Sequence, residues 1–283
     1  MTRETIELKP GLYVTATPIG NLGDITFRAV ETLKNADLIL CEDTRQTAKL
    51  CAAYGIATPR QAYHDHNAAR VRPAILQKLE AGKKICLVSD AGTPLIADPG
   101  FKLVREAIEA DVEVFAIPGP SAAIAALSIA GAPTDRFTFA GFPPQKGPAR
   151  RTFFKTLHEG AGALVFYEAA SRLSETLADM AAIFGADRRA AVARELTKLH
   201  EEIARGRLDE LAARFSKAPP KGEIVVILWP AEAAAVSEEA LDAFLHDALS
   251  AMSVKDAAQA AAEALGVSKR VAYERALAIK NAK

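Results

Sequence analysis

From Leu12 to about Gly131, short runs of β-branched and apolar residues alternate with longer amphipathic segments. This alternation is typical of repeated βα units. The run Ile85–Val88 is apolar at consecutive positions, as in strands covered on both faces. We therefore predict a parallel sheet with flanking helices such as Thr26–Asn35 and Phe101–Ala110. The five predicted strands are Leu12–Thr17, Asp37–Cys41, Gln61–Tyr63, Lys84–Ser89 and Glu113–Ile117.

This alternation of apolar runs and amphipathic segments is interrupted by a stretch rich in proline and glycine, Asp135–Arg151. Its composition disfavours regular structure, so we predict a mobile loop at the start of a second domain. Apolar runs resume beyond it and predict a second α/β unit. Its predicted strands are Ala163–Tyr167, Arg189–Arg194, Glu202–Arg205 and Glu223–Leu228, and its predicted helices are Ser171–Phe184 and Leu208–Ser216.

The end of the chain is rich in alanine and strongly helical in pattern. We expect Ser253 to cap a helix Val254–Leu265, Gly266 to end it, and Ser268 to cap a basic helix Lys269–Lys280. This pair is similar to a helix-turn-helix, which can serve packing and dimerisation or nucleic-acid contact, and the pattern leaves both open.

These patterns together predict an α/β protein with two α/β domains and a small C-terminal helical extension. We place the domains at residues 1–131 and 132–231 and the extension at 237–283.

The charge balance is neutral, with 35 lysines and arginines against 35 aspartates and glutamates. This argues against a surface that binds polyanions everywhere, so any nucleic-acid contact needs a local patch. The three cysteines lack the spacing of a disulfide framework or a zinc site, which favours a reducing cytoplasm. Because no segment has the pattern of a signal peptide or a membrane span, we expect neither secretion nor membrane insertion.

Three turns rich in glycine and proline, at 15–29, 89–100 and 117–123, each follow a predicted strand. The carboxyl ends of parallel strands share one edge of a sheet, where α/β proteins bind ligands. The turns therefore predict one binding cleft. Neither a GxGxxG fingerprint nor a phosphate-binding lysine follows the first strand, which disfavours a nucleoside triphosphatase and a hydride-transferring dinucleotide enzyme.

Five segments, taken in order, resemble the tetrapyrrole methylase superfamily. More narrowly, they are similar to its bacterial branch that methylates the ribose 2′-hydroxyl of a cytidine in small-subunit ribosomal RNA. The segments are 17–26 (TPIGNLGDIT), 41–45 (CEDTR), 89–94 (SDAGTP), 118–122 (PGPSA) and 166–168 (FYE). The tetrapyrrole-modifying branches usually carry a GxGxGD pattern where this chain has Pro18-Ile19-Gly20-Asn21, and this difference favours the ribosomal RNA branch.

The resemblance implies a homodimer that binds S-adenosylmethionine in a cleft between two domains. On this analogy, thirteen residues would hold the methyl donor. They are Pro18, Ile19, Asp90, Gly92, Thr93, Pro94, Ala97, Asp98, Ser121 and Ala122 in the first domain, and Phe166, Tyr167 and Arg194 in the second.

Methyl transfer from a sulfonium is an in-line displacement, so alignment of the acceptor dominates catalysis. A ribose hydroxyl is a poor nucleophile at neutral pH, and a nearby base could accept its proton. Side chains that follow or end predicted strands are the candidates, although each is more often a helix cap or part of a surface ion pair: Asp24, Glu42, Asp43, Asp90, Glu168, Glu195 and Lys198. Asp24, Glu42 and Asp43 are preferred because of the matched segments in which they lie. His64 and His66 flank Asp65, but nothing else supplies a ligand, so we predict no metal site.

RNA contact needs basic side chains around the cleft. The candidates are Arg45, Lys49, Lys146, Arg150, Arg151, Lys269 and Arg270, and each could equally be a solvated surface charge.

The predicted function is therefore S-adenosylmethionine-dependent 2′-O-methylation of a cytidine in 16S rRNA near the decoding centre, acting on rRNA or on the assembled small subunit. Two alternatives stay open. One is methylation of a small molecule such as a tetrapyrrole precursor, and the other is a non-catalytic RNA-binding assembly factor.

Overall fold

The computed structural model describes residues 7–96, 100–157, 162–231 and 237–281. The chain forms two compact units, Met1–Pro230 and Ala231–Lys283. The strands, all in the first unit, are β1 (Gly11–Thr15), β2 (Leu38–Cys41), β3 (Arg60–Ala62), β4 (Lys84–Leu87), β5 (Val114–Ile117), β6 (Phe137–Phe139), β7 (Ala163–Ala169), β8 (Arg189–Arg194), β9 (Glu202–Arg207) and β10 (Glu223–Leu228). The helices are α1 (Phe27–Asn35), α2 (Thr44–Tyr54), α3 (Asp65–Glu80), α4 (Phe101–Glu109), α5 (Ala122–Ala130), α6 (Gly147–Leu157), α7 (Leu173–Phe184), α8 (Leu208–Lys217), α9 (Glu238–Ala251), α10 (Val254–Leu265) and α11 (Lys269–Asn281).

The first sheet has the order β3-β2-β4-β1-β5, and all of its strand pairs are parallel. Helices cover both faces. Leu33 of α1 and Cys51 of α2 belong to the apolar core on one face, while Leu79 of α3 and Leu103 of α4 belong to the core on the other. The predicted parallel sheet is confirmed, and the consecutive apolar positions of its interior strands β2 and β4 are buried on both sides.

The second sheet has the order β6-β7-β10-β8-β9, and every pair except β6 with β7 is antiparallel. One face packs against α6, α7 and α8 through side chains such as Phe154, Leu177 and Leu211. The other face packs against α5, whose Ala126 and Leu127 lie in a second apolar core. Helix α5 directly follows β5 of the first sheet in the chain and packs against the second sheet, so it connects the two sheets.

The stretch Asp135–Arg151 is more regular than its composition predicts. Phe137–Phe139 forms β6, which pairs with β7, and α6 begins at Gly147. The prediction of a loop is therefore wrong for both ends of this stretch, which belong to a strand and to a helix. Proline is compatible with the first turn of a helix, where its missing N–H has no partner to lose, so Pro148 does not prevent α6.

The Ala231–Lys283 unit is a three-helix cluster of α9, α10 and α11 around small and aliphatic side chains. The Ser253 hydroxyl accepts a hydrogen bond from the backbone N–H of Asp256, and Gly266 ends α10 with a φ of +70°. The predicted boundaries of α10 are confirmed, and α11 begins at the predicted Lys269 but ends at Asn281, one residue later than predicted. None of the helices in the described part of the chain combines the length and apolar character needed to cross a membrane.

Candidate functional site

The three glycine-containing turns that follow β1, β4 and β5 meet at the carboxyl edge of the first sheet. Thr17 and Gly92 exchange two backbone hydrogen bonds of 2.9 and 3.0 Å. The Thr93 hydroxyl donates to the carbonyl of Pro120 at 3.0 Å. Gly92 has a φ of +82°, and a Cβ there would lie 3.3 Å from Cγ2 of Ile19. The sequence prediction that these turns share one edge is confirmed.

A cavity of 340 Å³ lies between these turns and the second sheet. Its volume is in the range of small-molecule sites. The first-sheet side contributes Ile19, Asp90, Ala91, Gly92, Thr93, Ile96, Ser121 and Ala122. The second-sheet side contributes Phe142, Tyr167, Glu168, Ala169, Ala193, Leu196, Gly222, Glu223, Ile224 and Val225. The lining combines an apolar interior with acidic residues and three residues that carry hydroxyl groups, Thr93, Ser121 and Tyr167.

Strand register explains which side chains of the second sheet face the cavity. Val225 of β10 pairs with Tyr167 of β7 on one side and with Ala193 of β8 on the other. These three form one row across the sheet, and all three line the cavity. Because side chains alternate between the faces of a sheet, the preceding Phe166 and the following Arg194 point to the opposite face.

The structure accordingly separates Phe166 and Arg194 from the other predicted donor-binding residues. Phe166 is fully buried in the opposite core, where its ring contacts Phe154. Arg194 forms an ion pair of 3.0 Å with Glu202. The residues that do line the cavity are Ile19, Asp90, Gly92, Thr93, Ser121, Ala122 and Tyr167. Pro18 and Pro94 adjoin lining residues in the chain, and Ala97 and Asp98 lie outside the described residues.

The turn between β8 and β9 closes one side of the cavity, and its Leu196 and Thr197 were not among the residues predicted from the sequence. Leu196 lines the cavity, and the Thr197 hydroxyl accepts a hydrogen bond of 3.0 Å from the backbone N–H of Asn21. Glu195 and Thr197 have positive φ values of 50° and 65°. Such strain in residues other than glycine is frequent at functional sites. The position after a predicted strand points to Glu195 and Lys198, but nothing in the local pattern marks Leu196 or Thr197, because the contact of Thr197 is with Asn21 of the distant first sheet.

Glu42 lies at the carboxyl edge of the first sheet, directly after β2. The next residue, Asp43, donates its backbone N–H to Oδ1 of Asp90 at 2.9 Å, and Asp90 lines the cavity. Partial burial raises the pKa of Glu42, and the nearby charges of Asp90 and Asp65 raise it further. Glu42 is therefore a stronger proton acceptor than an ordinary glutamate.

Asp43 and Asp24 differ from Glu42 in their surroundings. Asp43 caps α2 and forms an ion pair of 2.8 Å with Arg45, and these hydrogen bonds lower its pKa to about 2. Asp24 ends a short 3₁₀ helix, and its buried Oδ2 has no hydrogen-bond partner among the described residues. Asp43 is thus a poor proton acceptor, and Asp24 does not line the cavity.

Most of the basic side chains predicted to contact RNA are exposed, but several are paired. Lys49 donates to the side chain of Gln46, and Arg270 lies 3.3 Å from Glu274. Lys146 and Lys269 are exposed. No group of three or more histidine, cysteine, aspartate and glutamate side chains in the described ranges is arranged to hold a metal ion.

Arg150 is the exception, because it is buried. Its side chain is 3% exposed and forms an ion pair of 2.7 Å with Asp179, while Arg151 reaches the same carboxylate at 3.0 Å and is 46% exposed. Arg150 therefore fixes α6 to α7 and is not available to RNA phosphates, so its predicted role is not supported by the structure.

Replacing Arg150 with alanine is expected to lower the free energy of unfolding by about 2 kcal/mol, because it removes a buried side chain with its charged hydrogen bond and leaves the partly buried Asp179 with only the more exposed Arg151. Arg151→Ala removes a more exposed charge from the same Asp179 and should cost less than about 1 kcal/mol. Chemical denaturation of both variants measures the difference. Equal losses would contradict the structural role of Arg150.

Two family models match the chain. Tetrapyrrole (Corrin/Porphyrin) Methylases match residues 11–212, and the RsmI C-terminal HTH domain matches residues 234–280. The Ribosomal RNA small subunit methyltransferase I of Mesorhizobium japonicum is 46% identical over 275 residues, covering 97% of this chain and 94% of that protein. The protein of the same name from Pseudomonas aeruginosa is 44% identical over 272 residues, covering 94% of this chain and 96% of that protein.

Solved structures resemble this chain at much lower identity. Diphthine synthase has a TM-score of 0.59 and 14% identity, covering 77% of this chain and 89% of its own. Uroporphyrin-III C-methyltransferase from Thermus thermophilus, complexed with S-adenosylhomocysteine, has a TM-score of 0.56 and 16% identity, covering 77% of this chain and 97% of its own. At such identities the likeness establishes the shared fold.

Proposed function

Because the chain belongs to the tetrapyrrole (corrin/porphyrin) methylase family and, within it, to the group of Ribosomal RNA small subunit methyltransferase I proteins, we propose that it methylates small-subunit ribosomal RNA with S-adenosylmethionine. The acceptor is the 2′-hydroxyl of a cytidine in 16S rRNA near the decoding centre. The observation that carries the proposal is the cavity between the two sheets, combined with relatives that match almost the whole chain.

The cavity fits S-adenosylmethionine in size and chemistry. Apolar walls for the adenosine part of the donor come from Ile19, Ala122 and Val225. Oxygen atoms of Asp90 and Ser121 can accept hydrogen bonds from the ribose hydroxyls and from the ammonium group of the methionine part. Gly92 leaves open a space that a side chain would fill. When bound, S-adenosylmethionine supplies a methyl carbon attached to a positively charged sulfur. We propose that the lining residues named in the sequence prediction hold it there.

The residues of this chain then have to align the acceptor and take its proton. The apolar side chains of Ile19, Leu196 and Val225 exclude water from the interior of the cavity. We propose Glu42 as the proton acceptor, since its pKa is raised and it lies beside Asp90 at the edge of the cavity. Asp90 accepts the backbone N–H of Asp43 and so fixes the segment that carries Glu42.

RNA binding is assigned to exposed basic side chains. Lys49 and Lys146 lie in the first unit, and Lys269 begins α11 in the second. Arg45, Arg151 and Arg270 would have to exchange their present carboxylate partners for phosphates. Phosphate contacts of this kind position an RNA without reading its sequence.

We further propose that residues 1–131 and 132–231 act as two domains that close on the donor, because each contains its own five-stranded sheet. The site of action is the cytoplasm, in keeping with three buried cysteine thiols that form no disulfide.

A homodimer is the proposed oligomeric state. Strand β5 is an edge strand, and the helices that precede and follow it expose Phe101, Ile108 and Ile124 at 67%, 59% and 53%. Apolar side chains exposed together in one patch mark interaction surfaces, and we propose that these three form such a patch beside β5. Light scattering should give a mass of twice the 30.1 kDa chain. A particle of one chain mass at micromolar concentration would contradict this assignment.

The direct test of the proposed function is transfer of labelled methyl from S-adenosylmethionine. Small subunits, large subunits and a tetrapyrrole precursor are offered in parallel. Label in the small subunit alone is expected. Label in the tetrapyrrole would establish the small-molecule alternative, and donor binding without any transfer would establish a non-catalytic factor.

A further inference from the structure

Phe142 displays an aromatic ring at the mouth of the cavity. Its side chain lines the cavity and is 55% exposed. The backbone that leads to it is anchored to β7, since Ala140 donates its N–H to Val165 at 2.9 Å and Tyr167 donates its N–H to the carbonyl of Gly141 at 3.0 Å. Gly141, with a φ of +65°, turns the chain at this point. The exposure of Phe142 is therefore set by an ordered backbone.

A neighbouring ring fixes the direction of the Phe142 side chain. The rings of Phe142 and Tyr167 meet at 5.5 Å between centroids and an interplanar angle of 61°, and Tyr167 meets Phe139 in the same manner at 4.9 Å. The Tyr167 hydroxyl accepts the backbone N–H of Ala123 at 3.3 Å, which ties it to the start of α5. Phe142 therefore packs against Tyr167, which a hydrogen bond holds in place, while more than half of the Phe142 surface is exposed to solvent.

An ordered aromatic side chain that stays exposed beside a ligand cavity is suited to stack on a planar ligand. Nucleobases of single-stranded RNA stack on phenylalanine in this way, largely without regard to sequence. The interior of the cavity is lined by the more deeply buried Ile19, Ala193 and Val225. The exposed position of Phe142 at the mouth favours the incoming substrate over a ligand enclosed by those residues.

We propose that Phe142 stacks on the base of the nucleotide that is methylated and holds that nucleotide at the cavity mouth. The inference rests on the proposed function and adds a positioning residue for its RNA substrate. The same loop carries the exposed Lys146 four residues later, where an adjacent phosphate can be neutralised.

The test compares Phe142→Ala with wild type on small subunits from cells that lack the protein. We expect the KM for subunits to rise by about 10-fold or more, the range that loss of one stacked base implies. Donor affinity, measured by equilibrium dialysis with S-adenosylmethionine, should change by less than about 2-fold. Phe142→Trp should restore the KM, because it keeps a stacking face, and its fluorescence should be quenched when rRNA is added.

The matched control is Phe137→Ala, which removes a ring that is 41% exposed on β6 but does not line the cavity. It should leave both constants unchanged. If the donor affinity of Phe142→Ala falls by as large a factor as the KM for subunits rises, the ring contacts the adenine of the donor and the proposal is overturned. A wild-type KM in Phe142→Ala would overturn it while leaving the proposed function intact. Absence of transfer by the wild-type protein would overturn both.

Discussion

Glu42→Gln is expected to lower kcat by about 100-fold or more, which is the lower end of what general base catalysis contributes. Glutamine keeps the size of the side chain but cannot accept the proton of a ribose hydroxyl. Partial burial and, to a smaller extent, the neighbouring Asp90 raise the pKa of Glu42, so its anionic form is a better acceptor than an ordinary carboxylate. Donor affinity should change little, because Glu42 does not line the cavity.

The pH dependence of activity is a second test of Glu42 as the proton acceptor. Glu42 must be ionised to accept a proton, so activity is lost as the pH falls through its pKa. Because that pKa is raised, the acidic limb of kcat/KM against pH should lie above the value of about 4.3 of an unperturbed glutamate. This limb should disappear in Glu42→Gln.

Asp43→Asn is the matched control. It also replaces a carboxylate by an amide, one residue further along the chain, and asparagine can still cap α2. Arg45 and the helix cap hold the pKa of Asp43 at about 2, so its loss should change kcat by no more than about 5-fold. A loss in Asp43→Asn as large as that in Glu42→Gln would contradict the assignment of Glu42 as the proton acceptor.

Gly92→Arg should weaken donor binding by at least about 100-fold, a factor that corresponds to a loss of about 3 kcal/mol of contact free energy. Gly92 lines the cavity, and an added Cβ would already lie 3.3 Å from Cγ2 of Ile19 and 3.7 Å from the carbonyl of Pro120. The remaining atoms of arginine can only extend into the space proposed for the donor. Equilibrium dialysis with S-adenosylmethionine measures this loss without relying on turnover.

Gly131→Arg controls for backbone strain. Gly131 has the same φ of +82°, but an added Cβ there meets no atom within 4 Å. Both variants therefore force a non-glycine residue into the left-handed region, and only one of them fills the cavity. Comparable melting temperatures with donor affinity lost in Gly92→Arg alone are expected. Unchanged affinity in a folded Gly92→Arg protein would refute this placement of the donor.

Much of the fold follows from local sequence pattern. The runs that became β8 and β10 were predicted with the observed ends, and capping residues such as Ser253 and Gly266 located the helices of the second unit. The strand β6 was missed, because its short apolar stretch is stabilised by pairing with β7 and not by its own composition. Local pattern thus identifies elements that are locally determined.

The site was predicted less completely because it depends on which way side chains point. Tyr167 faces the cavity and Phe166 does not, and one position in a strand decides between the two faces. The turn that contributes Leu196 meets the first sheet through contacts with residues far away in the chain, such as Asn21. Arg150 illustrates the same limit, because its burial depends on Asp179 of another helix.

The measurement that tests the central claim most directly is the position of the transferred methyl group. Small subunits from cells that lack the protein are incubated with it and labelled S-adenosylmethionine, and the 16S rRNA is digested with nuclease and mapped by mass spectrometry. The predicted result is a single 2′-O-methylated cytidine near the decoding centre. Methylation of a base, or a donor-binding protein that leaves both the subunit and naked rRNA unmodified, would contradict the claim.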